Sequence, residues 1–226
     1  MAGKSQVCKI ARFSIAILRT IFLLLLLNSI LYNRSMFILD ILKYPDPFLK
    51  TKAKPVTKVD DETKKLIGDM IETMYAARGI GLAATQVGVN KRVAVLDVPD
   101  CEDYQKGKNL LAIINPEIVS YEGEIEYEEG CLSIPSFTAE VKRFQKITLN
   151  CELLTVSGKN SSPFTVSSSQ FPVHSSLNAQ GLLAIALQHE IDHLNGMLFI
   201  DRLSKLKREM IKRKIKKARE AEKKML

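Results

Sequence analysis

One pentad constrains this chain more than any other feature: His189-Glu190-Ile191-Asp192-His193. On an α-helix, positions four apart share a face, one turn from each other. His189 and His193 can therefore turn both imidazoles toward one metal ion. Glu190, one residue on, is rotated by about 100° around the axis. It can reach a water at the metal without being a ligand. That is the spacing of a metal-assisted hydrolytic site. The competing reading is a surface helix that happens to carry two histidines. Scarcity weakens it, because the chain holds three histidines and two fall in this pentad. The helix is expected over residues 181–195. Leu182, Leu183, Ile185, Ala186 and Leu187 make its first half nearly all apolar, so it should be buried. Gly196 follows as its cap.

Two ligands do not complete a site, so a Cys, Asp or Glu at a strand–loop junction must supply a third. Cys131 stands out, with Gly130 before it and Leu132-Ser133 after it. A buried structural cysteine is the other reading. The remaining cysteines, Cys8, Cys101 and Cys151, are widely spaced and form no Cys-x-x-Cys pair, which suits a reduced compartment. The third histidine, His174, lies in a Ser-rich stretch and reads as solvated.

The net charge of +8 is unevenly spread. Residues 1–39 carry five basic side chains and no acid. Residues 40–201 carry 16 basic against 22 acidic, and residues 202–226 carry 12 basic against three acidic. An acidic body with basic ends argues against sequence-specific nucleic-acid reading, and leaves one basic arm for an anionic partner. Residues 1–35 form a basic, hydrophobic extension in which 13–32 is apolar except for Arg19, Asn28 and a few hydroxyls. It reads as a signal anchor, as an organellar targeting segment, or as a stretch ahead of a working start at Met36; the last is favoured. A cytoplasmic protein is expected, or one at a membrane or in an organelle if residues 1–35 are genuine.

The body is expected to run from 36 to 203 and the basic helix from 204 to 226. Tyr44-Pro45-Asp46-Pro47 makes a turn. A helix capped by Asp60 or Asp61 runs to about Arg78 with Leu66, Ile67, Met70, Ile71 and Met74 at helical spacing, and Gly79 ends it. Gly79-Ile80-Gly81-Leu82-Ala83-Ala84-Thr85-Gln86 follows. It is no dinucleotide loop, since Ala84 holds the last glycine position and a helix precedes it. Strands are expected at 92–98, 110–116, 118–127 and 142–154. Residues 157–180, rich in Ser, read as a long surface loop.

Three stretches in order, Gly79 to Gln86, Glu129-Gly130-Cys131-Leu132-Ser133 and Gln188 to His193, resemble the three motifs of the peptide deformylases. The resemblance runs from about Met36 to Leu206. It implies an α+β fold with antiparallel strands packed around a central metal-binding helix. It implies that Cys131, His189 and His193 bind the metal, Fe2+ by preference, with Zn2+, Ni2+ or Co2+ able to substitute. The substrate implied is the N-formyl-methionyl end of a nascent polypeptide, released as formate and a free amine. Glu190 is then the acid/base, while the Gln86 side chain and the Leu132 N–H stabilise the oxyanion. Gly81 lies against the formyl group, and Gly130 belongs to the substrate side. Ile80, Tyr127, Leu182, Ile185 and Ala186 match the methionine pocket, though they also read as plain core. Arg143 matches an arginine that pairs with Glu129 and steadies the Cys131 loop. Thr138 departs from the family, standing where many members carry an arginine. The basic tail resembles a helix that contacts the ribosome in bacterial members, and a monomer is expected. The alternative is a zinc endopeptidase using the same His-Glu-x-x-His helix, which would lack the Cys131 ligand.

Overall fold

The computed structural model describes residues 37–99, 104–157, 165–167 and 173–225. The expected extension at 1–35, Cys8, Cys101 and much of the Ser-rich stretch lie outside the described residues. Two units divide the chain, Met1–Ser35 and Met36–Leu226. Among the described residues, no helix is long and apolar enough to cross a membrane.

The second unit is α+β. Among the described residues, three α-helices, α1 (Asp61–Ala76), α2 (Gly181–Leu194) and α3 (Lys205–Met225), accompany six strands: β1 (Gly81–Ala83), β2 (Val93–Asp97), β3 (Leu110–Cys131), β4 (Ile134–Ser157), β5 (Thr165–Ser167) and β6 (Val173–Gln180). Every strand pairing is antiparallel, in the order β1-β2-β3-β4-β5, with β6 also on β4. All five residues of β2 are buried, because helices cover both faces of the sheet there. Ala94 and Leu96 pack with Leu187 and Leu194 of α2. Val93 and Val95 pack with Ile67, Met70, Ile71 and Met74 of α1. A third cluster, Leu49, Ile134, Phe199, Leu203 and Ile215, seats α3.

Asp60 caps α1, its carboxylate accepting from Thr63 N–H at 2.8 Å. The helix ends at Ala76, two residues before the expected Arg78, and the left-handed residue is Arg78 (φ 57°), not Gly79. Arg78 N–H donates to Tyr75 O and Gly79 N–H to Met74 O, the two bonds of a Schellman closure. Gly79 is needed for closeness instead: a Cβ there would lie 2.7 Å from Leu132 Cδ1.

Helix α2 is buried from Ala184 through Leu194. It stops where the composition says it should. Gly196 (φ 73°) donates to His193 O and Met197 N–H to Asp192 O. A Cβ on Gly196 would meet Lys50 O at 2.4 Å, so the end of the helix also depends on that close approach. Arg92 reinforces it, donating to Asn195 Oδ1 at 2.9 Å and to Pro116 O at 2.8 Å.

Two expectations are corrected. The strands expected at 110–116 and 118–127 are one strand, β3. The irregularity at Asn115 (φ 52°) and Pro116 is absorbed as register shifts between Ile114, Glu117 and Ser120. Asn115 is held there by bonds to the Val56 N–H and C=O. The Ser-rich loop is shorter than expected, because residues 173–180, His174 included, pair with β4 from Lys146 to Leu153. Only alternate positions, such as Leu177 and Ala179, face the core, so polar composition hides the strand. The basic helix expected from 204 begins one residue later. A 3-10 turn, Phe199–Arg202, comes first, and α3 begins at Lys205.

Candidate active site

The two histidines do what their spacing requires. Their Nε2 atoms face each other at 3.2 Å, and Cys131 Sγ lies 3.1 Å from His193 Nε2. The ligand atoms of Cys131, His189 and His193 all fall within 4.8 Å of one another. Donors on a tetrahedral ion with ordinary bond lengths sit roughly 3.3–3.6 Å apart, so the triangle fits a metal after slight expansion. The donor chemistry fits as well, one sulfur and two imidazoles suiting a first-row transition ion.

Cys131 comes to the helix through a tight hairpin. It ends β3, Leu132-Ser133 make the turn, and Ile134 begins β4 opposite it. The Ser133 N–H donates to Cys131 Sγ at 3.4 Å and Gln86 Nε2 to the same sulfur at 3.6 Å. Just beyond, β4 bulges. Gly130 pairs with Thr138 while Cys131 pairs with Ile134, and Ser136 adopts φ 68°. The bulge turns Pro135 and Ser136 into the cleft wall.

Beneath the ligands lies a buried ionic floor. Glu129 accepts from His189 Nδ1 at 2.8 Å, which leaves Nε2 to face the metal position. Arg143, fully buried, holds Glu129 through Nε at 2.5 Å and Nη2 at 2.9 Å, and Asp192 through Nη1 at 2.6 Å. Arg202 grips both oxygens of Asp192 at 2.5 and 2.6 Å. Burial works to raise the Glu129 carboxyl, but the Arg143 and His189 bonds outweigh it and bring it down to about 2. Burial, with His189 beside it, keeps His193 neutral, the form in which imidazole binds metal.

Glu190 differs. It is buried, no cation among the described residues bonds it, and burial pushes its carboxyl up to about 7. Its Oε2 has no hydrogen-bond partner among the described residues. Its Oε1 lies against Gly81, where a Cβ would stand 2.4 Å away. That contact gives Gly81 a physical reason to be glycine: backbone and acid share one narrow wall.

A cavity of about 630 Å³ opens above these groups. Ile80, Gly81, Gln86, Tyr127, Glu129, Gly130, Cys131, Leu132, Leu182, Ile185, Ala186, His189 and Glu190 line it. Of the residues expected from sequence, His193 and Arg143 are not on its wall; both are buried. Gln86 is oriented by accepting Ala83 N–H at 2.8 Å, so its amide nitrogen faces Cys131 and Ser133. Ile80 and Tyr127 are half-exposed at the rim.

Sequence reasoning missed several residues. Lys43, Arg78 and Glu128 line the same cavity. Glu128 accepts from Thr138 Oγ1 at 2.7 Å, so the departure at Thr138 touches the cleft rim. Asp192 was inside the pentad, and its position on the buried helix face was the available signal. Lys43 and Arg202 carried none, being ordinary basic residues outside the three motifs.

The sequence profile of the family "Polypeptide deformylase" matches residues 38–161 and 172–209, and the break at 162–171 falls in the Ser-rich stretch. Among curated relatives, the peptide deformylase of Alkalilimnicola ehrlichii is 48% identical over 182 residues, 80% of this chain and 91% of its own. That of Wolinella succinogenes is 43% identical over 81% of this chain and 98% of its own. Among solved structures, a peptide deformylase from Legionella pneumophila superposes with a TM-score of 0.69 at 43% identity, covering 82% of this chain and 97% of its own. One from Ehrlichia chaffeensis in complex with actinonin gives 0.68 at 40% identity, covering 81% and 98%. The three motifs, the converging ligands and these relatives agree, and the chain belongs to the peptide deformylase family.

Proposed function

We propose that the cleft removes the formyl group from the N-terminal formyl-methionine of nascent polypeptides with Glu190 as acid/base and Gln86 and Leu132 as oxyanion donors. The protein is a metal-dependent hydrolase of the peptide deformylase family, and the endopeptidase alternative is not favoured. The observation that carries the residue roles is the convergence of Cys131, His189 and His193 beside a buried Glu190. A metal ion held by those three side chains would act as a Lewis acid and lower the pKa of water.

The rest is the work of the chain. The methionine side chain enters among Leu182, Ile185, Ala186, Ile80 and Tyr127. Gly81 brings the backbone close to the formyl group. Glu190 takes a proton from water as its oxygen bonds to the formyl carbon, and gives that proton to nitrogen as the C–N bond breaks. Formate and a free amine leave. The Gln86 amide and the Leu132 N–H stabilise the charge developing on the formyl oxygen; such a donor typically contributes about 10²–10³ in rate. Glu129 and Arg143 hold His189 and the hairpin in place.

We read the native metal as Fe2+, with Zn2+, Ni2+ or Co2+ as substitutes, and the working state as a cytoplasmic monomer near the ribosome. Helix α3 supports ribosome docking: Ile215 turns inward while Lys214, Lys216 and Lys217 stay exposed. Removing the helix would strip the cover from Leu49 and Phe199, so charge reversal of Lys214 and Lys217 is the cleaner test. Ribosome binding should weaken in a salt-dependent way with turnover of a short peptide intact; unchanged binding refutes docking. The central test is formate release from formyl-Met-Ala-Ser by anaerobically purified protein, with metal analysis of the same sample. Glu190→Ala should keep its metal and lose hydrolysis. Retained hydrolysis removes Glu190 from its role.

A further inference from the structure

We propose that Lys43 is a positioning residue that couples the two halves of the oxyanion site, an inference that rests on the donor roles given above to Gln86 and Leu132. Those two donors come from separate pieces of structure, the 3-10 turn Ala84–Val87 and the hairpin turn after β3. A third piece, the segment Leu42–Lys43–Tyr44, bonds to both. Leu42 N–H donates to Gln86 O at 2.8 Å, and Tyr44 N–H donates to Ser133 O at 2.9 Å. Between them, Lys43 Nζ donates to Leu132 O at 2.6 Å.

The Lys43 bond acts on a particular peptide. Leu132 C=O and Ser133 N–H belong to the same planar unit. Its oxygen takes the Lys43 ammonium, and its N–H donates to Cys131 Sγ. The ammonium thus fixes the plane of the turn that presents Leu132. A charge-assisted bond is stronger than a neutral one, and the backbone bonds on either side deliver the side chain already placed. Lys43 is exposed and lines the cleft, so it contributes nothing to core packing. Its hydrogen bond runs to the hairpin turn.

The test compares Lys43→Met, Lys43→Arg and Gln86→Leu in the metal-loaded protein. Lys43→Met should lower kcat on a formyl-Met peptide by about 10- to 100-fold with KM nearly unchanged, the range usual for groups that orient a site. Lys43→Arg should restore most of it. Hydrogen exchange supplies the second readout: the Leu132 and Ser133 amides should exchange faster in Lys43→Met and return toward the native rate in Lys43→Arg. Wild-type kcat and wild-type exchange in Lys43→Met, with Gln86→Leu impaired, overturn the inference alone. A fully active Gln86→Leu overturns the oxyanion reading beneath it.

Discussion

Two buried carboxylates flank His189 and behave in opposite ways. Glu129 belongs to the ionic floor, where Arg143 and His189 bring its pKa down to about 2. Glu190 belongs to the wall beside Gly81, where burial raises its pKa to about 7. Both side chains are almost wholly buried, so burial does not separate them. What separates them is the partner. A bidentate guanidinium makes one a permanent anion that holds a ligand in place. The other, with no cation bonded to it among the described residues, has its carboxyl raised by burial. Adjacent regions of one site thus differ: in one a carboxylate is held ionised by its partners, in the other burial raises a carboxyl.

The largest expected effect comes from breaking the floor. Arg143→Met leaves Glu129 and Asp192 buried beside a neutral side chain, and removing one partner of a buried pair costs about 3–5 kcal/mol. Denaturant unfolding should show that loss, and metal analysis should show a lower content in the purified protein. The matching change on the wall is Gly81→Ala. Its Cβ would collide with Glu190 Oε1, so the acid must move. A displacement of that kind costs about 10²-fold in kcat, while the metal content should stay at the wild-type level. If Gly81→Ala instead lost its metal, floor and wall would not be separable.

Titration of the metal-free protein sharpens the same contrast. The folded pKa of Glu190, about 7, lies above its ordinary 4.5, so the folded state holds the proton more tightly. Stability is therefore full below about 4.5 and falls as pH rises toward 7, by about 3 kcal/mol in all. Metal-free Glu190→Gln should match the native chain near pH 4 and exceed it in Tm at pH 8. Glu129 runs the other way. Its lowered pKa contributes stability above about 4.5 that is lost as pH falls through about 2. The smallest effect is at the rim. Arg78 holds a left-handed conformation, and Arg78→Gly should stabilise the fold by about 1 kcal/mol in denaturant unfolding. A destabilised variant would mean that the Arg78 side chain contributes more than the strain costs.

Legibility followed the distance over which each feature is determined. The pentad declared itself because four residues make one helical turn. A cap at Asp60 or Asp61 and one at Gly196 were legible because capping is settled within a few residues. β6 was not, since a Ser-rich edge strand has too few apolar side chains to show its period. Cys131 stayed ambiguous on composition and spacing; its likeness to a known family singled it out in sequence, and the hairpin brings its sulfur beside His193 in space.

By itself, then, the sequence determined a local arrangement: His189 and His193 on one helix face, Glu190 beside them, and Gly81 and Gln86 in a run of small residues. The tertiary structure decided what surrounds them. It placed Arg143 between Glu129 and Asp192, brought Lys43 to the Leu132 carbonyl, and gave Gly79 and Gly81 neighbours that leave no room for a Cβ. The physical reason is range. Helix period and capping are local and written in adjacent residues, whereas a pKa, an ion pair or a close approach depends on which distant segment packs there.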